Sequence, residues 1–134
     1  MTILKREELP IRSSADVVLV RQAVRAGATA AGFNLVDQTK IVTAASELAR
    51  NTFTYGGGGT VILEVLNDGN RRGVRVIFED KGPGIADLQL AMRDGYTTGE
   101  GLGLGLGGAK RLVNDFHIES KVGAGTKVVI TRWK

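Results

Sequence analysis

Three short stretches hold residue types that could do chemistry together: SELARN at 46–51, EDKGPGI at 79–85 and GEGLGLGLGGAKR at 99–111. In the first, Glu47 and Asn51 are four residues apart and share one side of a helix. An asparagine amide oxygen is a hard, neutral donor suited to Mg²⁺, which takes oxygen ligands and keeps several waters. A glutamate beside it can accept a proton from a hydroxyl or a water. Taken alone, the pair reads first as a solvated polar face.

The second stretch ends a strand pattern. Val74, Val76, Phe78 and Asp80 alternate onto one face, opposite Arg75, Ile77 and Glu79. Asp80 therefore closes an apolar face and is aimed toward the interior, where a carboxylate is costly unless a donor meets it. Gly82 and Gly84 strip side chains from the turn that follows. A strand-end carboxylate beside bare backbone suits a flat ligand that offers an amino group. An aspartate capping a turn is the other reading of these residues.

In the third stretch, glycine recurs immediately before a helical pattern. Glycine gives up more backbone entropy on folding than any other residue. The mechanical return is close approach of backbone N–H groups to an anion, with a helix N-terminus adding partial positive charge. A flexible surface loop is the alternative for this run alone. Known phosphate loops fit it badly. No glycine here precedes the lysine in the G-x-x-x-x-G-K-[ST] order of a P-loop. Gly103-x-Gly105-x-x-Gly108 matches G-x-G-x-x-G, but no second βαβ unit or ribose-binding acid follows it.

The elements that must position these residues are legible from periodicity. A strand is expected over 3–11, stopping near Pro10. A helix follows with Ser13 or Ser14 as N-cap, Val17, Val20, Val24 and Ala28 on its stripe, and Gly32 as its stop. A second helix is expected over 36–55, burying Ile41, Ala45, Leu48 and Tyr55 and ended by four glycines. Strands at 60–67 and 73–80 flank a polar turn, and a short helix at 87–95 precedes the glycine run. A helix over 105–115 and a hairpin of strands 116–121 and 126–133 complete the order. Paired strands that neighbour in sequence favour an α+β, two-layer sandwich: helices on one face of a mostly antiparallel, mixed sheet. No repeat or linker divides the 134 residues, so one domain over 1–134 is expected.

Composition narrows the classes of function. There is no cysteine and a single histidine, His117, which excludes thiolate and His-cluster metal sites. No apolar run approaches the roughly 18 residues of a membrane span, and no signal pattern opens the chain. A soluble, cytoplasmic protein without a membrane partner is expected. The net charge of +4 comes from scattered Lys and Arg, not from a basic stripe with stacking aromatics, so nucleic acid is not the expected partner.

Together, the order E-x-x-x-N, D-x-G-x-G, G-x-G-x-G and a final G-T resembles the GHKL ATPase/kinase superfamily with its Bergerat nucleotide-binding fold. Within it, DQTKIVTAASELARN, EDKGPGIADLQLAMRDGYTTGEGLGLGL and GGAKRLVNDF are similar to the small anti-sigma regulatory kinases, specifically RsbT-type serine/threonine switch kinases of the bacterial stressosome. The resemblance implies ATP and Mg²⁺ as cofactors, with Asn51 as metal ligand and Glu47 as general base. It implies that Asp80 accepts from the adenine amino group, with Gly82, Gly84 and Ile85 shaping the pocket floor and Thr126 supporting the adenine side. Gly101, Gly103 and Gly105, with the amides of Leu102, Leu104 and Leu106, would wrap the phosphates. Implied partners are a STAS-domain antagonist or scaffold as substrate and a PP2C-type phosphatase regulator as the target after release. An anti-sigma factor of the same fold, sequestering a sigma factor, and a nucleotide-gated binding module without transfer activity are the alternatives. His117 is expected to be structural or at the surface. A short lid over about 95–102 would leave an open front for a protein substrate.

Overall fold

Ser13 starts the first helix by the means its residue type favours. Its backbone is extended (φ −156°, ψ 168°) and its hydroxyl accepts from the Asp16 N–H. The structure, a computed structural model, describes residues 1–92 and 105–134, with only the backbone of Gln89 and Leu90. Helix α1 (Ser14–Ala30) buries Val17, Val20, Val24 and Ala28, the stripe expected from spacing. Asn34 caps α2 (Leu35–Thr54) by accepting from the Asp37 N–H at 2.8 Å, and Ile41, Ala45 and Leu48 face the core.

Strand β1 (Thr2–Ile11) precedes these helices, and β2 (Gly59–Asn67) and β3 (Arg72–Asp80) follow them. Then come α3 (Leu88–Ala91), α4 (Leu106–Arg111), β4 (Asp115–Lys121) and β5 (Gly125–Trp133). The sheet order is β1-β2-β3-β5-β4. Every neighbouring pair is antiparallel, so the sheet contains no parallel pair among the described strands. Two helices, α1 and α2, lie between β1 and β2 in the chain, and β2 runs in the opposite sense to β1. Tight turns then make β2–β3 and β4–β5 hairpins.

One face of the sheet carries the core. Val61, Leu63, Val74, Val76, Phe78, Val128 and Ile130 alternate inward and are buried beneath α1 and α2. Gly27 lets α1 settle on β2: a Cβ there would already touch Leu63 at 3.4 Å. The opposite face is braced by Arg75, which donates to Glu64 at 2.7 Å across β2 and β3. No helix among the described residues is long and apolar enough to cross a membrane.

Two helices are shorter than the sequence pattern implies. The helix expected over 105–115 stops at Arg111, and Asp115 already opens β4. Asn114 is claimed by β5 instead. Its N–H donates to Thr131 O at 2.9 Å and its side-chain oxygen accepts from the Trp133 N–H at 2.8 Å. The helix expected over 87–95 is the single turn α3, with 93–95 outside the described residues.

Arg132 fastens the far end of the helical layer. It donates to Asp37 Oδ1 at 2.6 Å and to the Leu112 carbonyl at 2.9 Å, joining the first turn of α2 to the end of α4. Both charged side chains are largely covered, at 16% and 24% exposure. Arg132→Met keeps most of the bulk but strips Asp37 and Leu112 O of this donor. The expected cost is about 2–3 kcal/mol, read as a lower urea midpoint at unchanged m-value. A midpoint equal to the parent's would show that the clamp contributes nothing net.

Candidate active site

Helix α2 delivers two of the polar residues singled out from sequence. Asn51 is half-buried and lines a cavity of about 350 Å³ between the end of α2 and the ends of β3 and β5. Glu47 lies one turn earlier, outside the residues that wall the cavity. Its Oε1 accepts from Arg50 at 3.0 Å. Its Oε2 sits against Gly105, the residue that opens α4 in the left-handed region (φ 68°). A Cβ at position 105 would stand 2.6 Å from that oxygen. Gly105 thus meets two demands at once: a backbone angle few other residues adopt, and room for the glutamate.

The glycines that end α2 have a comparable task. A Cβ at Gly56 would stand 2.6 Å from Asp80 Oδ2, so the bare residue makes the space that the carboxylate occupies. Asp80 ends β3 two residues beyond the buried Phe78, as alternation requires, and is half-buried. Burial pushes its carboxyl above the ordinary aspartate range. The N–H groups of Gly82, at 2.9 Å, and of Thr126 work against that shift, and the neighbouring Glu79 adds to it. Such a group holds a proton acceptor at the edge of an apolar space.

Leu48, Phe78, Ala91, Leu106 and Val128 are among the apolar residues of its wall. The structure brings Asn51, Asp80, Gly84, Ile85, Leu106 and Thr126 around this one cavity. Gly82 is set behind it, where a Cβ would stand 2.7 Å from Gly56 Cα. Gly101, Leu102, Gly103 and Leu104 lie outside the described residues, as does the expected lid over 95–102. His117 is exposed and pairs with Glu119 at 3.0 Å, away from the cavity residues.

Several residues of the site were not singled out from sequence. Two-residue alternation places Phe78 on the face of Asp80 and Val128 on the face of Thr126. Gly56 had only the tetraglycine run as a signal. Ser120 had none, because its importance lies in contacts to Ile85 and to Thr126 across the β4–β5 hairpin.

Residues 36–134 match the family described as histidine kinase-, DNA gyrase B- and HSP90-like ATPases. The chain belongs to that family. It is the GHKL group, whose members bind ATP, and the α+β architecture with an antiparallel sheet agrees with it. The chain is 45% identical over 118 residues to the serine/threonine-protein kinase RsbT of Bacillus subtilis (strain 168), covering 88% of this chain and 89% of that one. It is 31% identical over 99 residues to the anti-sigma F factor of Thermoanaerobacter sp. (strain X514), covering 69% and 68% respectively. Among solved structures, the RsbU and RsbW domains of a Mycobacterium tuberculosis protein share the fold at a TM-score of 0.64 and 24% identity. That likeness covers 97% of this chain, which spans a third (33%) of the solved one. Within the GHKL family the chain is an enzyme, an RsbT-like protein kinase of the partner-switching kind.

Proposed function

We propose that residues 1–134 form one cytoplasmic kinase domain that transfers the γ-phosphoryl group of ATP to a serine or threonine of a STAS-domain antagonist or scaffold protein. The observation that carries this reading is Asp80, seated under the bare backbone of Gly56 at the rim of a mainly apolar slot. The slot's volume of about 350 Å³ is of the size that encloses a small ligand. Leu48, Phe78, Ile85 and Val128 offer apolar faces to a planar base, and Asp80 accepts from its amino group. Thr126 supports the same edge. The amides of 101–106, with Gly101, Gly103 and Gly105 among them, wrap the phosphates.

The residues fit Mg²⁺ of the kind held mainly by substrate. Asn51 gives one neutral oxygen on the cavity wall, and no cluster of three or more His, Cys, Asp or Glu exists among the described residues. An ion that keeps waters and takes phosphate oxygens needs no more from the protein. Bound there, Mg²⁺ supplies charge neutralisation on the phosphate oxygens. Glu47 receives the proton of the attacking hydroxyl as the new O–P bond forms, while the bond to the bridging oxygen breaks and ADP departs. Phosphorylation of the antagonist releases the kinase, which then binds and activates a PP2C-type phosphatase regulator.

Purified chain incubated with γ-labelled ATP, Mg²⁺ and a STAS-domain partner should place label on a serine or threonine of the partner. ATP binding without transfer to any such partner would overturn the kinase assignment. The likeness to an anti-sigma F factor favours a second reading, a sequestering anti-sigma factor. Stable, ADP- or ATP-dependent capture of a sigma factor in place of a STAS protein would decide for it.

A further inference from the structure

Ser120 is the penultimate residue of β4, half-buried on the helix-facing side with Phe116 and Ile118. Its Oγ makes three contacts. It accepts from the Ile85 N–H at 2.7 Å, lies 2.8 Å from Thr126 Oγ1, and donates to the Gly125 carbonyl at 3.2 Å. Ile85 and Thr126 both wall the cavity, and they belong to segments about 40 residues apart in sequence, the loop after β3 and the start of β5. One hydroxyl therefore sets the distance between two walls of the slot without lining it.

The proton inventory adds a second consequence. A serine hydroxyl has one proton and two lone pairs. The Ile85 N–H can only donate and the Gly125 carbonyl can only accept. All three contacts are satisfied together when Thr126 gives its proton to Ser120 and Ser120 gives its own to Gly125. Thr126 Oγ1 then has only lone pairs left to offer, and Asp80, its partner in the β3–β5 register, lines the same cavity. Placed alike in the slot, adenine offers its 6-amino group where guanine offers a carbonyl, so acceptors aimed at that position favour adenine.

We propose that Ser120 is a positioning residue for the purine slot: by holding Ile85 and Thr126, it fixes the slot's width and the polarity of the Thr126 hydroxyl. This rests on the nucleotide reading above. It assigns part of the preference for adenine over guanine to a residue that does not touch the base.

The test compares Ser120→Ala and Ser120→Thr with the unsubstituted chain for ATP and GTP affinity by calorimetry and for phosphoryl transfer at saturating ATP. Ser120→Ala should raise the Kd for ATP about tenfold, narrow the preference for ATP over GTP, and leave saturated turnover within about twofold. Ser120→Thr, which restores the hydroxyl, should restore both affinity and preference. Should Ser120→Ala fail to fold, Ser120→Cys, of similar shape but weak hydrogen bonding, reads the same losses. Parental affinity and parental base preference in a folded Ala or Cys variant would overturn the inference, as would a loss of turnover at unchanged affinity. An unsubstituted chain that bound no ATP would overturn the nucleotide reading and this inference with it. Binding that ignores position 120 overturns the inference alone.

Discussion

Asp80→Asn is expected to weaken ATP binding about a hundredfold while leaving the fold as stable as the parent, or more so. The two effects come from one property of the site. An ionised carboxylate only accepts hydrogen bonds, whereas an amide presents an NH₂ donor on one side. In the variant the remaining oxygen can still take the Gly82 N–H, at 2.9 Å in the parent, but the amide nitrogen accepts neither from the Thr126 N–H nor from a base amino group. Losing a charge-assisted bond and opposing donor to donor together cost about 3 kcal/mol, which is about a hundredfold in Kd. Stability moves the other way because burial raises the Asp80 carboxyl above its ordinary value of 3.8. A group with a raised folded-state pKa adds stability below its unfolded pKa, and that stability is lost as pH rises through the folded value. At neutral pH the ionised Asp80 thus opposes folding, and the uncharged amide removes that opposition. The same direction predicts that the parent loses ATP affinity relative to the variant as pH drops through the raised carboxyl range. Calorimetric titration across pH and urea unfolding check the pair. Unchanged ATP affinity in the variant would remove adenine from Asp80.

How much of this was legible in the sequence depended on range. The α1 stripe of Val17, Val20, Val24 and Ala28 is a local period, and the fold keeps it. The inward aim of Asp80 follows from two-residue alternation after Val76 and Phe78, again a local rule. Contacts set by strand register were not legible. Ser120 meets Thr126 because Ser120 and Thr126 are partners in the β4–β5 ladder, and Asp80 meets Thr126 because β5 is inserted between β3 and β4. Arg132 and Asp37 are 95 residues apart, and no pattern in either neighbourhood announces the other. The end of α4 failed for a related reason. Residues 112–114 continue a helical pattern, but β5 offers Asn114 hydrogen bonds that a further helical turn could not match. The tetraglycine run signalled the end of α2, not that Gly56 yields its side-chain space to Asp80.

Glu47→Gln should separate chemistry from binding. Glutamine has nearly the shape of glutamate, so it fits against Gly105, where even a Cβ would stand 2.6 Å from the native Oε2. Its amide oxygen can still accept from Arg50, which reaches Oε1 at 3.0 Å in the parent. What it cannot do at neutral pH is take a proton. Glu47 does not wall the cavity that holds Asp80 and Asn51, so nucleotide affinity should stay within about threefold of the parent. Phosphoryl transfer should fall by about 10²–10⁴-fold, the usual contribution of a positioned general base. The residual rate reflects positioning and metal electrostatics, which carry most of phosphoryl transfer. Glu47→Ala is the less clean variant, because it also removes the contact with Gly105 and frees Arg50 to approach the phosphates. Single-turnover transfer and ATP calorimetry on the Gln variant distinguish the cases. Equal loss of binding and transfer would make Glu47 a structural support for the α4 entry. Undiminished transfer would move the base elsewhere, or show that the hydroxyl needs none.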